Sequence, residues 1–444
     1  MLSDGLDSMK LVSLGATILN LILLFYGWRS LTHTSNRWVA LFVCGLYATS
    51  PLTVEFSRMV MSEAPFLSWS LLTLILTERY ASGKRANSWL LGLGLAVSFA
   101  VATRTIGVVL LVTVFLRLSL SAGRQGLADF AKVLVVIAGT LLTVSAAIGM
   151  SAELLVPSEY VRQATDPERF GFPVRPLGGR VLEAASDYAV NDVPTLILKV
   201  SPRGRMADLA GRLGFRPLAS LIGVATTALV LLGWFQWWRE RGLSAGLMFG
   251  AIYCTVLMVW PWGNTRFLYP VQPQIYAGAL LGATFILRSV SKRIRCDRLV
   301  RPTLVAAFVL LLTVSVLRSL RIAPTRAHVG DLANRTAWIE EHAEPDAVLL
   351  SEYPHTDLLY SGRIGIPYPT RLSPEETLER AKRGGVDLIL VAPELRWQAR
   401  YSPVLSDDAA ALLRFLQQNE DGNTVKLLYH SEEHGVHVFA IGGC

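Results

Sequence analysis

Three arginines stand in otherwise apolar surroundings, two of them with acids or amides close by in sequence. Arg58 lies in SPLTVEFSRMVMSEAP with Glu55 and Glu63, Arg104 in AVATRTIGVV, and Arg266 in WPWGNTRFLYPVQP beside Asn264 and Tyr269. An ionised side chain in such a setting is costly unless it is paired or faces water. A guanidinium group stays charged and its planar fork matches two phosphate oxygens. Arginines gathered with carboxylates at one membrane surface therefore describe a site for a phosphorylated lipid headgroup. Glu63, Asp187 and Asp192 are the acids that could do proton chemistry there.

Each of these residues also has a plainer reading. Arg266 is flanked by Trp260, Trp262 and Tyr269, the composition of an interfacial aromatic belt. Arg104 can simply pair with an acid such as Glu63. Arg58 and Glu55 are spaced for a local i, i+3 pair. Glu63 precedes Ala64-Pro65, where a helix dipole alone favours an acid. Asp187 and Asp192 suit an acceptor contact or a metal, at a spacing diagnostic of neither. His430, His434 and His437 fall in a strand–turn–strand pattern, which favours hairpin surface residues over a zinc site. The sequence names no cofactor, and a divalent cation is the one candidate.

The elements that must position these residues are mostly membrane helices. Of 444 residues 52% are hydrophobic and 17% charged, with a mean hydropathy of +0.41. Soluble domains are nearer 45–50% apolar and about 25% charged. The net charge of +8 sits between apolar runs, densest in RSVSKRIRCDRLVR, so it marks cytoplasmic loops rather than a nucleic-acid surface. The four cysteines form no CxxC pair and no metal-ligand spacing. MLSDGLDSMK lacks the basic stretch of a signal peptide.

Apolar runs at 11–28, 132–151, 218–238, 244–261, 267–287 and 302–320 are long enough to span a bilayer. Shorter ones at 38–50, 64–77, 89–103 and 105–120 must extend into their flanks or tilt, giving about ten spans in all. Loops bearing Arg29 and Arg37, Arg79 to Arg85, Arg117 to Lys132, Arg239 with Arg241, and 288–301 alternate onto one side, taken as cytoplasmic. The opposite side receives 51–63, the turn at Arg104, the stretch 152–217, the WGNTR turn and everything after 321. SDYAVNDVPTLILKV, within 152–217, reads as a piece lying on the membrane surface with its apolar face down.

After residue 320 the pattern changes. ANRTAWIEEHA, SPEETLERAKRGG and DDAAALLRFLQQ read as helices. DAVLLS, VDLILVAP, TVKLLYH and HVFAI read as strands. The expected architecture is an all-α polytopic membrane domain over 1–320, followed by a small extracytoplasmic α/β domain over 321–444.

This combination resembles the GT-C membrane glycosyltransferases that use polyprenyl-phosphate sugars, in particular the protein O-mannosyltransferase, aminoarabinose transferase and Rgt-type branch. The resemblance rests on YATSPLTVEFSRMVMSEAPFLSWSLLTLILTERY, GLGLAVSFAVATRTIGVVLL and WPWGNTRFLYPVQPQIYAG, supported by DAVLLSEYPHTDLLYSGR. It implies a plasma-membrane, inverting transferase that moves a sugar from a polyprenyl-phosphate carrier to a glycan, lipid or protein acceptor outside the cytoplasm. It also implies that the chain opens at the family's second span, without the first outer loop that carries the catalytic acid. Asp4 and Asp7 are then the only acids near that loop's end. Two other functions remain open on this reading: a non-catalytic scaffold or lipid-binding subunit, and a transporter of lipid-linked saccharide. A transporter is expected to show broken midplane helices and a repeat of its halves, and the sequence shows neither.

Overall fold

The computed structural model describes residues 2–32, 37–58, 62–83, 86–147, 177–199, 216–259, 265–294, 300–321, 336–351, 354–368, 372–392, 403–420, 424–431 and 435–442. Two compact units result, one built mainly of Ser3–Val161 and Arg175–Ile322, the other mainly of Ala323–Cys444.

The first unit is helical. Its long elements are Leu2–Thr32, Glu63–Ala81, Asn87–Thr103, Val108–Ala122, Arg124–Ala147, Arg216–Arg241, Ala245–Val259, Gln272–Ile294 and Val300–Arg321. Among the described residues five helices are long and apolar enough to cross a membrane. A sixth candidate is the pair Arg37–Ala48 and Pro51–Ser57, bent by 61°. Glu63–Ala81 and Gln272–Ile294 reach 19 and 23 residues, but charges at their ends lower their hydropathy. Asn87–Thr103 and Ala245–Val259 are apolar but shorter.

Close helix approach depends on glycine, as bilayer proteins require where no hydrophobic force drives helices together. A Cβ on Gly233 of helix Arg216–Arg241 would overlap the carbonyl of Gly278, and one on Gly282 would overlap that of Leu229. These two helices therefore meet nearly backbone to backbone. At the opposite end from Glu63, Arg117 grips Glu78 with two hydrogen bonds of 2.9 Å. The Glu78 carboxylate also accepts the Ala245 N–H, which caps the start of the next helix. One buried acid thus fastens three helices.

The segment expected to lie on the membrane surface is instead part of the unit's interior. Helix Leu177–Asp187 runs into a π turn at Tyr188–Asp192 and a short helix at Val193–Leu198. Tyr188, Val193, Leu196 and Ile197 join the core formed with the long helices. The π turn's Ala189 carbonyl accepts a 2.7 Å bond from Thr227. The apolar face is buried by protein, which satisfies it without lipid.

The second unit carries a five-stranded mixed sheet in the order β2-β1-β3-β5-β4, with β1 Val348–Ser351, β2 Ile364–Pro367, β3 Leu388–Val391, β4 Val425–Ser431 and β5 Val436–Ile441. β1 pairs in parallel with β2 and β3, while β5 runs antiparallel to β3 and β4. All four residues of β3 are buried, because helices cover both faces. Ile389 and Val391 face Leu378 and Leu412; Leu388 and Leu390 face Ile339. Ser373 and Glu376 close a capping box on helix Pro374–Arg383, as SPEETLERAKRGG predicts. The sequence reading missed β2 and helix Pro354–Ser361, both too short to show a period.

Candidate functional site

Glu63 opens helix Glu63–Ala81 and is completely buried. Arg104 reaches its Oε1 at 2.7 Å, and Arg266 Nε donates to the same oxygen. Residues 203 positions apart in the chain thus share one carboxylate oxygen. The other, Oε2, is buried and has no hydrogen-bond partner among the described residues.

Local structure explains each placement. Arg104 sits in extended backbone (φ −152°) between helix Asn87–Thr103 and the 3-10 turn Thr105–Gly107. The fold-back is tight because Gly107 lies against Ala100, whose backbone would be 2.9 Å from any Cβ there. Arg266 lies in the 3-10 segment Thr265–Val271, which contains Pro270 and cannot run on as a regular helix. Aromatic faces steady both guanidinium groups: Arg104 lies 5.9 Å from the Phe267 ring, and Arg266 5.9 Å from Phe56. Arg104 is 15% exposed and Arg266 39%, so Arg266 is the more open to a ligand.

Beneath Glu63 lies a buried polar cluster. Asn20 donates to Tyr47 Oη and to the Ala64 carbonyl at 3.1 Å each, and accepts from Ser68 at 2.8 Å. The hydroxyls of Tyr47 and Tyr269 lie 2.5 Å apart. Tyr269, expected as a substrate contact or belt residue, is fully buried and fixes segment 265–271 from inside.

Asp192 belongs to the same neighbourhood. Its Oδ1 accepts from Thr265 at 2.9 Å and Asn191 at 3.1 Å, which ties the π turn to the residue preceding Arg266. Asp187 ends the helix before that turn and is half-buried. Arg58 closes helix Pro51–Arg58, while its side chain, Asn264 and His434 lie outside the described residues. His430 and His437 stack with ring centroids 4.3 Å apart in the second unit. Among the described residues no three His, Cys, Asp or Glu side chains are grouped to hold a metal. The structure therefore brings together Glu63, Arg104 and Arg266, adds Asp192 through Thr265, and turns Tyr269 inward.

Residues 2–149 match the sequence model of the dolichyl-phosphate-mannose-protein mannosyltransferases. The crystal structure of ArnT from Cupriavidus metallidurans in the apo state superposes with a TM-score of 0.50 at 10% identity, covering 98% of this chain and 83% of that one. Its undecaprenyl-phosphate complex gives 0.50 and 11%, covering 97% and 83%. The fold is that of ArnT. The archaeal oligosaccharyltransferase AglB from Archaeoglobus fulgidus, solved with an inhibitory peptide and a dolichol-phosphate, aligns at a TM-score of 0.47 and 12% identity, covering 97% of this chain. The chain spans 62% of that protein's length. No curated protein sequence matches the chain.

Two features of this chain escaped the sequence reading. Glu78 was not singled out, although an acid inside TLILTERY signals a buried pair. Lys199 was not singled out either, and its fully buried position has no sequence signal beyond an apolar neighbourhood.

Proposed function

We propose that this chain is an integral membrane glycosyltransferase with about ten spans, moving a sugar from a polyprenyl-phosphate carrier to an acceptor on the extracytoplasmic side. The observation that carries this reading is the convergence of Arg104 and Arg266 on buried Glu63. The carboxylate holds two guanidinium groups together, and the exposed part of Arg266 offers donors to a phosphate. The fold match supports the same reading, and the family matched over residues 2–149 is named for a dolichyl-phosphate sugar donor.

In the proposed step the acceptor oxygen attacks the anomeric carbon from the face opposite the phosphate. The bond from carbon to phosphate oxygen breaks, and that oxygen keeps the electron pair. Charge grows on the leaving phosphate, where positive groups stabilise it most. The proton of the acceptor hydroxyl passes to a carboxylate drawn from Glu63, Asp187 and Asp192. Of these, Asp192 is tied through Thr265 to the residue before Arg266.

Arg266→Ala tests the reading. In membrane vesicles supplied with labelled polyprenyl-phosphate sugars, transfer is expected to disappear while expression holds. Unchanged transfer would remove Arg266 from the site.

A further inference from the structure

Lys199 is 2% exposed, yet its ammonium has no carboxylate within ion-pair distance among the described residues. Its Nζ donates to Tyr276 Oη at 2.5 Å and reaches Ser50 Oγ at 3.5 Å. It lies 4.7 Å from the centre of the Tyr276 ring. The Tyr276 hydroxyl also accepts from Gln272 at 2.6 Å and donates to the Leu196 carbonyl at 3.3 Å. Among the described residues this buried charge meets only neutral groups, which is costly, and an apolar side chain of similar volume would commonly do as well or better.

The backbone adds a second cost. Lys199 ends the short helix Val193–Leu198 in the left-handed region, at φ 60°. It is the one non-glycine residue with positive φ among the described residues. Glycine is the residue such a helix end favours. A side chain kept in place against both burial and backbone preference marks a position held for what it does.

Its geometry suggests what that is. The segment Asp192–Lys199 is pinned at both ends: Asp192 accepts from Thr265, and Lys199 donates to Tyr276 and reaches Ser50. Thr265 precedes Arg266, and Tyr276 stands one turn into the helix that follows the Arg266 segment. Ser50 marks the bend between Arg37–Ala48 and Pro51–Ser57. We propose that Lys199 is a positioning residue, a buried latch that holds Tyr188–Lys199 against the bundle and thereby fixes Thr265 and Arg266 where an anionic phosphate docks. The part about docking rests on the reading of Arg266 above; the latch itself does not.

The test uses the full chain in lipid nanodiscs and compares wild type with Lys199→Gly, Lys199→Met and Tyr276→Phe. Hydrogen exchange over 188–199 and 265–271 reads the latch, and binding of undecaprenyl phosphate reads the site. Each variant is expected to raise exchange in both segments and weaken binding, by roughly tenfold for the loss of one charge-assisted hydrogen bond. Lys199→Gly should do so with an unchanged or higher melting temperature, because it relieves the backbone. A purely structural lysine would instead lower the melting temperature and leave affinity intact, and that result overturns the proposal. Unchanged exchange in Lys199→Gly overturns it as well. If wild type binds no undecaprenyl phosphate, the functional reading fails separately, and the exchange result alone upholds or overturns the latch.

Discussion

Replacing Glu63 by glutamine keeps the shape of the side chain and removes the charge that two guanidinium groups share. Hydrogen bonds between charged groups contribute about 1.5–3 kcal/mol, and neutral ones about 1 kcal/mol. Arg104 is 15% exposed, so its contact is felt almost in full; Arg266 is 39% exposed, and solvent discounts its share. The expected loss of stability is about 2 kcal/mol, less than the roughly 3–5 kcal/mol of a buried pair cut outright. Phosphate binding should move the other way. A carboxylate roughly 5 Å from a docked phosphate repels it by about 3 kcal/mol at an effective dielectric constant near 20. Removing that charge should tighten undecaprenyl-phosphate binding by on the order of tenfold or more. Thermal unfolding in detergent reads the first effect, and equilibrium binding of the labelled lipid reads the second. A variant that loses stability and affinity together would refute this reasoning, because the acid would then serve the fold without facing the ligand.

Three further outcomes are expected. Arg117→Met leaves the Glu78 carboxylate buried without its bidentate partner; thermal unfolding should show a loss of about 3–5 kcal/mol, with lipid-phosphate affinity unchanged. Gly233→Ala drives a methyl into the Gly278 carbonyl and should destabilise the membrane unit by at least about 1–3 kcal/mol, read as a lower melting temperature in detergent. Ser373→Ala removes the bond from Glu376 N–H to Ser373 Oγ and should cost about 1 kcal/mol, visible as faster hydrogen exchange in helix Pro374–Arg383 with no change elsewhere.

Legibility in the sequence followed the strength of the local signal. SPEETLERAKRGG carries a cap, a Pro near its start and a terminal glycine pair, and the helix forms where those signals place it. After Asp387 the strand VDLILVAP is apolar without interruption, and β3 is buried on both faces. Charge alternation in the sequence predicts Glu63, Arg104 and Arg266 on one side of the membrane, because cations in apolar sequence have few tolerable places. That two arginines would share one oxygen of Glu63 was not readable, since their contact depends on the fold-back at Gly107 and on Pro270. Tyr269 shows the opposite case: beside two tryptophans it reads as a belt residue, yet its hydroxyl pairs with Tyr47 in the interior. SDYAVNDVPTLILKV reads equally well against lipid or protein, since amphipathicity fixes which face is apolar and not what covers it. Lys199 left no trace at all, because its role depends on Tyr276 and Ser50, distant residues that only the fold brings near.

The central claim is that Arg104 and Arg266 hold a lipid phosphate. The most direct test is a structure of the chain in nanodiscs with undecaprenyl phosphate. The phosphate is expected within hydrogen-bond distance, about 3 Å, of the Arg266 guanidinium, with Arg104 beside it. A phosphate resolved elsewhere, with both arginines still closed on Glu63, would contradict the account.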